Sequence, residues 1–469
     1  MQFQATSAKF SPLRRRILSA GAFGALAAAT GGQGTFAAQA AVLPRLLTAG
    51  RGTIQLVPPP HPPTAIWGYD ASVPGPELRL RQGERLRVTV ENLLDEETTV
   101  HWHGIRLPNA MDGVPHLTQK PIVANGGKFL YEFDVPDAGT YWYHPHQRSH
   151  EQVGRGLYGA LIVEEHEPPG VDRDILWMLD DWRLDRNAAI RDGFGNFMDI
   201  SHAGRIGNTV TVNGRIAETF EVRAGERIRL RLINAANARI FGLEFTDHQP
   251  RIVALDGQPV EPHAPEGGRI VLGPAMRADL IIDMTGQPGK RYGVIDGFYR
   301  RREYRLLDLV YAVKPIREKP LESEVHLPGN QIPEPDLVAA RHHEILFSGG
   351  MMGSMRGMNR GMAWAINGVS QSGHQHEPLL VLPRNSSNIL RLVNDTAWHH
   401  PIHLHGHSFR VISRNGNPTR FREWQDTVLV APRETAEIAF VADNPGDWMI
   451  HCHILEHQAG GMMSSIRIV

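Results

Sequence analysis

Cys452 is the only cysteine in 469 residues, and it stands between two histidines as His451-Cys452-His453. Successive side chains on a β-strand point to opposite faces, so this triplet aims a thiol one way and two imidazoles the other. One strand can then serve two metal sites. On the thiol side His400, His457 and Met462 complete a set of two imidazoles, one thiolate and a weak thioether. That is the donor field of a blue copper that passes single electrons. Coordination would also keep the lone thiol from exchange and oxidation.

The imidazole side has more material than chance supplies. With 24 histidines in the chain, roughly one His-x-His pair is expected at random, and six are present. Four of them fall in matched frames. His101-Trp-His103-Gly104 begins nine residues after Asn92, and His403-Leu-His405-Gly406 begins nine residues after Asn394. Phe133, Gly139 and His144-Pro-His146 have the spacing of Phe440, Gly446 and His451-Cys-His453. Alternate residues of a strand share a face, so each pair presents two imidazoles to one place.

The elements that carry these residues repeat. Arg81–Asn92, Arg223–Asn234 and, more loosely, Pro383–Asn394 each read as a turn followed by an alternating strand. The middle copy keeps both frames but puts Leu243 and Phe245, then Val294 and Asp296, at the histidine positions. Short apolar runs with Gly and Pro punctuation around these segments predict antiparallel β-sandwiches. Proline-rich stretches near 167–170 and 315–335 mark the seams. The division expected is a segment 1–40, domains at 50–166, 172–313 and 341–469, and a linker at 314–340. Only the third copy can hold the blue site, because Pro145, Thr98 and Arg155 stand where Cys452, His400 and Met462 have their counterparts.

His-Trp-His-Gly, Tyr-His-Pro-His, His-Pro-Ile-His-Leu-His-Gly-His and His-Cys-His-Ile-Leu-Glu-His, ending in Met462, resemble the four copper motifs of three-domain multicopper oxidases, the family of laccases and cuprous oxidases. The resemblance covers nearly all of the chain after the first forty residues. It implies an all-β fold of three cupredoxin-like Greek-key β-sandwiches holding four copper ions. It assigns His101 and His403 to a type 2 copper; His103, His144 and His453 to one copper of a type 3 pair; and His146, His405 and His451 to the other. It implies an oxidase that takes electrons one at a time at the type 1 copper of His400, Cys452, His457 and Met462 and reduces dioxygen to water. Asp112 matches an acidic position beside the cluster and is the expected proton donor. Gln458 stands where many bacterial relatives carry a carboxylate, which puts a proton relay there in doubt.

Bulk properties narrow the partners. A net charge of -1 gives no basic field for nucleic acid or an anionic membrane. Arg14, Arg15 and Arg16 before a short Ala/Gly-rich run resemble a twin-arginine signal, which predicts a periplasmic or otherwise exported protein with no membrane insertion. A monomer is expected. Met351, Met352, Met355, Met358 and Met362 crowd a glycine-rich stretch, and thioethers favour Cu(I), so cuprous ion is the expected reductant. A phenol or aromatic amine is the alternative. A nitrite reductase would leave the type 3 histidines without a purpose, and copper-free relatives lack ligands that this chain keeps.

Overall fold

The repeated segments become the central strands of three sheets: Arg85–Asn92, Arg227–Asn234 and Ser387–Asn394. The computed structural model describes residues 44–351, 363–371 and 377–469. The arginine-led segment 1–40 and Met352, Met355, Met358 and Met362 lie outside those residues. Among the described residues there are six sheets, two associated with each repeat, and 3-10 or α-helices occur only as single turns.

The sheets are mixed rather than purely antiparallel. Each contains one parallel pair, such as Arg45–Ile54 on Arg85–Asn92, Arg173–Trp182 on Arg227–Asn234 and Arg341–Gly349 on Ser387–Asn394. The companion sheets do the same, with Gly75–Arg81 on Gly159–Glu164, Thr219–Val222 on Tyr304–Tyr311 and Leu380–Leu382 on Met463–Ile468. A chain that crosses from one sheet to the other between consecutive strands returns in the same direction, which produces the parallel pairs of a Greek key.

The asparagine that ends each repeated strand has a structural task. Asn92, Asn234 and Asn394 are buried, and each side-chain oxygen accepts the N–H two residues ahead, at Leu94, Ala236 and Thr396. Each side-chain amide donates to carbonyls across the loop, Ile122 in the first repeat, Leu272 in the second and Ala431 in the third. A buried amide so satisfied fixes where the following strand begins, and that strand carries the histidines.

The histidine-bearing strands lie side by side in the outer repeats. His101 pairs with His144, and His403 pairs with His451. The middle repeat keeps the sequence spacing but slips in pairing: Leu243 lies opposite Asp296, and Phe245 opposite Val294. A slip of two preserves the faces of the strand, so Leu243, Phe245 and Val294 fill that repeat's own core.

The outer face of the middle sheet is covered rather than wet. Arg229 and Arg231 are fully buried there, bonded to Asp279, with Glu165 and Asp174 as further partners. Thr140, on the strand Gly139–His144, donates to Asp279 and accepts from Arg231. Residues 314–340 form no strand or helix, and Asn330 ties them down through bonds to Ala138 and Gln258.

Candidate metal centre

Four short segments from the first and third repeats bring eight imidazoles together. His101–His103 and Gly139–His144 supply His101, His103, His144 and, just beyond, His146. His400–Leu404 and Gly446–Cys452 supply His403, His405, His451 and His453 in the same way. The two halves meet with a pseudo-twofold relation: the rings of His101 and His405 stack at 3.9 Å, and those of His103 and His403 at 3.8 Å. All eight are buried. The glycine ending each motif permits this approach, since Gly104 has φ +86 and a Cβ there would sit 2.3 Å from Arg277 and 2.5 Å from Asp426.

Two contacts bring imidazole Nε2 atoms together. His405 Nε2 lies 3.1 Å from His451 Nε2, and His453 Nε2 lies 3.3 Å from His144 Nε2. Where the other ring nitrogen is already the N–H donor, Nε2 carries a lone pair. Two donors bound at about 2 Å to one ion in tetrahedral geometry stand roughly 3.3 Å apart. Further, His101 Nε2, His103 Nδ1, His146 Nε2 and His403 Nε2 are buried without any partner, an arrangement that costs free energy unless something accepts those lone pairs. His146, His405 and His451 form one close group of ligand atoms, and His101 stands within reach of both His403 with His405 and His103 with His144. The donor set fits several copper ions.

The far nitrogen of most rings is held by an acceptor, which sets the tautomer. His144 Nδ1 faces the Pro145 carbonyl and His451 Nδ1 the Cys452 carbonyl. Asp112 offers its backbone oxygen to His101 Nδ1 at 2.8 Å and its carboxylate to His405 Nδ1 at 2.9 Å. Asp426 is its counterpart across the pseudo-twofold: its backbone oxygen faces His403 Nδ1 at 2.8 Å and its carboxylate His103 Nε2 at 3.0 Å. Sequence reading found Asp112 and missed Asp426. Asp112 follows His101 by 11 residues, while Asp426 follows His403 by 23, because the hairpin Phe409–Arg414 with Asn417–Pro418 intervenes.

Asp426 stands close enough to His103 and His403 to be counted a ligand itself. Its oxygens are otherwise engaged: Arg277 grips both, at 2.8 and 2.5 Å. Asp256 accepts the backbone N–H groups of Arg277 and Thr427, which joins the middle repeat to the cluster. The Arg277 guanidinium holds the Asp426 carboxyl far below the usual carboxylate range, whereas burial pushes Asp256 up to about 7. We therefore read Asp426 as an orienting residue and not a ligand.

The second group is built around the thiol. Cys452 Sγ lies 3.5 Å from His400 Nδ1 and 3.7 Å from His457 Nδ1, with the two nitrogens 3.2 Å apart. Those separations are the edges of a triangle around one ion. Thr396 Oγ1 takes the outer nitrogen of His400 at 2.8 Å, and the His202 carbonyl takes that of His457 at 2.6 Å. Met462 is wholly buried, and its carbonyl accepts the Cys452 N–H. His457 rides on the helical turn Leu455–Ala459, against which the Trp364 ring rests at 4.3 Å. In the first repeat Thr98, which stands in the frame of His400, instead donates to the side chain of Gln152.

Burial dominates the electrostatics. It lowers the pKa of His103, His144, His146, His400, His403, His405, His451 and His453, and brings His457 to about 3. Neutral imidazoles with free lone pairs are ligands at once. Burial pushes the Cys452 thiol well up, so the thiolate forms only as a metal takes the proton's place. Gln458 bonds His146 Nδ1 and Ser149. As an amide it carries no titratable proton. Met351 is exposed, with its N–H on the Ser201 carbonyl.

Three family models described as multicopper oxidase match residues 52–168, 173–319 and 350–469. The multicopper oxidase MmcO of Mycobacterium tuberculosis is 31% identical over 442 residues, covering 85% of this chain and 82% of that protein. A solved multi-copper oxidase from Pseudomonas thermotolerans is 37% identical, with a TM-score of 0.81, covering 90% of this chain and 98% of the other. A multicopper oxidase from Campylobacter jejuni, described as a metallo-oxidase, is 28% identical, with a TM-score of 0.76 and 90% of each chain covered.

Proposed function

The chain belongs to the multicopper oxidase family, and from that premise we propose that its principal reductant is cuprous ion, oxidised at the expense of dioxygen. It is an oxidoreductase with four coppers: one type 1, one type 2 and a type 3 pair. In the ligand sets we assign, His400, Cys452, His457 and Met462 hold type 1, and His101 with His403 hold type 2. His103, His144 and His453 hold one type 3 ion, and His146, His405 and His451 the other. The observation that carries this reading is the strand Gly446–Cys452, which ends with a thiol against His400 and His457 and an adjacent imidazole against His405.

The coppers supply one-electron steps and storage of the four electrons that dioxygen needs. The protein's residues do the rest. Asp112 and Asp426 hold four of the cluster imidazoles in the tautomer that binds, and burial excludes water that would quench a partly reduced product. Asp112 is also the acidic group we assign to proton delivery, since it is the carboxylate in contact with the cluster that no arginine neutralises in the described residues.

The choice of Cu(I) over a phenol rests on the cover of His457. Its outer nitrogen is bonded to the His202 carbonyl and its ring is fully buried, so a bulky aromatic has no imidazole edge to lie on. A metal ion needs only donors nearby. Met351, the first methionine of the rich stretch, is bonded to Ser201, the residue next to His202 in that cover. Replacing Met355, Met358 and Met362 together by Leu removes the soft donors at nearly constant volume. Dioxygen uptake with Cu(I) should then show a raised KM and a preserved kcat. An unchanged KM for Cu(I) would overturn the assignment.

The same reading has residues 1–40 as a twin-arginine signal that exports the folded monomer, its sandwiches at 50–166, 172–313 and 341–469 joined by 314–340. Fusion of residues 1–40 to a reporter, with Arg15 and Arg16 replaced by Lys, tests the signal through loss of export.

A further inference from the structure

A cavity of about 480 Å³ lies in the middle repeat, away from the histidine cluster, lined by Tyr299, Tyr304, Arg302, Arg305, Arg239 and Asn208 among others. Its size suits a single-ring ligand. Two of its arginines are already engaged: Arg239 bonds Asp181 and lies over the Tyr299 ring at 5.7 Å, and Arg305 reaches Asp308 at 3.3 Å. Arg302 is exposed and forms no ion pair among the described residues, while its neighbour Glu303 turns back to accept the Arg301 N–H. The cavity therefore presents an uncompensated guanidinium beside aromatic faces, the chemistry that recognises an aromatic carboxylate.

One ring that lines the cavity, Tyr299, begins a series of ring contacts that reaches the residue beside His400. Tyr299 packs on Phe298 with ring centroids 5.0 Å apart, and Phe298 packs on His399 at 5.4 Å. His399 is joined by a peptide bond to His400. Electron tunnelling decays steeply with distance, and this run of rings in contact shortens the gap between the cavity and a ligand of the type 1 copper. The cover over His457 blocks the direct approach for an aromatic, so a second way in has a use.

We propose that this cavity binds an anionic phenol and delivers its electron through Tyr299, Phe298 and His399 to His400. The inference rests on the type 1 reading of His400, Cys452 and His457. The bound phenol gives up one electron, reducing the type 1 copper, and its proton to water at the cavity mouth, and leaves as a phenoxyl radical. Four such turnovers provide the electrons that, with four protons, convert one dioxygen to two waters.

Syringate and syringol share one phenolic ring and differ by the carboxylate, and O-methylsyringate keeps the carboxylate but cannot be oxidised at the hydroxyl. O-methylsyringate should bind the copper-free protein in calorimetry, and Arg302→Glu should weaken that binding about tenfold, as expected for a reversed charge at a carboxylate contact. The ratio of kcat/KM for syringate over syringol should fall by a similar factor, and the wild-type ratio should shrink as salt rises. Phe298→Leu should keep the binding of O-methylsyringate and slow the anaerobic bleaching of the blue band by syringate. Failure of O-methylsyringate to bind, or equal effects of Arg302→Glu on syringate and syringol, would overturn the cavity assignment. Unchanged bleaching in Phe298→Leu would overturn the route. A copper-loaded wild-type protein that is not blue would overturn the type 1 reading beneath it, and calorimetry would still judge the cavity.

Discussion

At the scale of single residues, Cys452 and the imidazoles play opposite parts in taking up metal. The nine imidazoles held neutral by burial release no proton on binding copper at neutral pH, whereas the Cys452 thiol must release one. Calorimetry in buffers of different ionisation enthalpy should count about one proton lost per type 1 copper bound. Cys452→Ser should abolish both that proton and the blue colour. Asp112 touches two cluster imidazoles, His101 and His405, so Asp112→Ala should lower copper affinity at the cluster by about 10–100-fold while the blue band stays; copper counts and the type 2 electron paramagnetic resonance signal are the readouts. The eight clustered histidines were legible in sequence because a repeat with fixed spacing exposed them. Asp426, Arg277 and Thr396 were not, since each acts through a contact with a histidine or an aspartate that no local spacing encodes.

At the scale of elements, the strand Arg277–Asp283 links a repeat without ligands to the cluster. Arg277 is wholly buried between Asp256 and Asp426. Replacing it by Met leaves two buried carboxylates without their cation, a loss of roughly 3–5 kcal/mol. The unfolding midpoint in denaturant should drop, and the type 2 signal should change because Asp426 no longer holds His103 and His403 in place. An unchanged signal with lowered stability would confine Arg277 to scaffolding. The all-β class and the threefold repeat could be read from turn residues and alternation. The parallel pair in every sheet could not, because pairing direction depends on how the chain crosses between sheets and leaves no mark on the strand's own pattern. The buried Arg229 and Arg231 show the same limit: charged residues alternating along a strand ordinarily face solvent, and here Thr140 and Glu165 from the first repeat's end cover them.

Across the whole molecule, the packing of neutral histidines sets a pH dependence for the copper-free protein. A histidine whose folded pKa lies below its unfolded value near 6.5 binds its proton more readily in the unfolded chain, so stability is lost as pH falls below 6.5. Each such group adds up to about 1.4 kcal/mol per pH unit in that window. Glu456, pushed up to about 7 by burial, works the other way, since its folded form keeps a proton that the unfolded chain has released above about 4.5. Stability from Glu456 alone therefore declines from about pH 4.5 to 7, but the histidines outnumber it. Thermal melts of copper-free protein between pH 7.5 and pH 5 should fall steeply, and copper-loaded protein should resist. A flat profile without copper would show that the buried rings take up protons in the folded chain as readily as in the unfolded one.

The two-residue slip between Leu243–Phe245 and Val294–Asp296 bears on any attempt to engineer a further metal site into this scaffold. Writing histidines back at 243 and 294, where the repeat frame asks for them, would graft imidazoles onto diagonal positions with Cβ atoms about 7–8 Å apart rather than directly opposed. Both would point into an apolar interior where Leu243 and Val294 are fully enclosed. The direct pairing of His101 with His144 cannot be reproduced by those two substitutions alone; a deletion or insertion that resets the strand would have to come first.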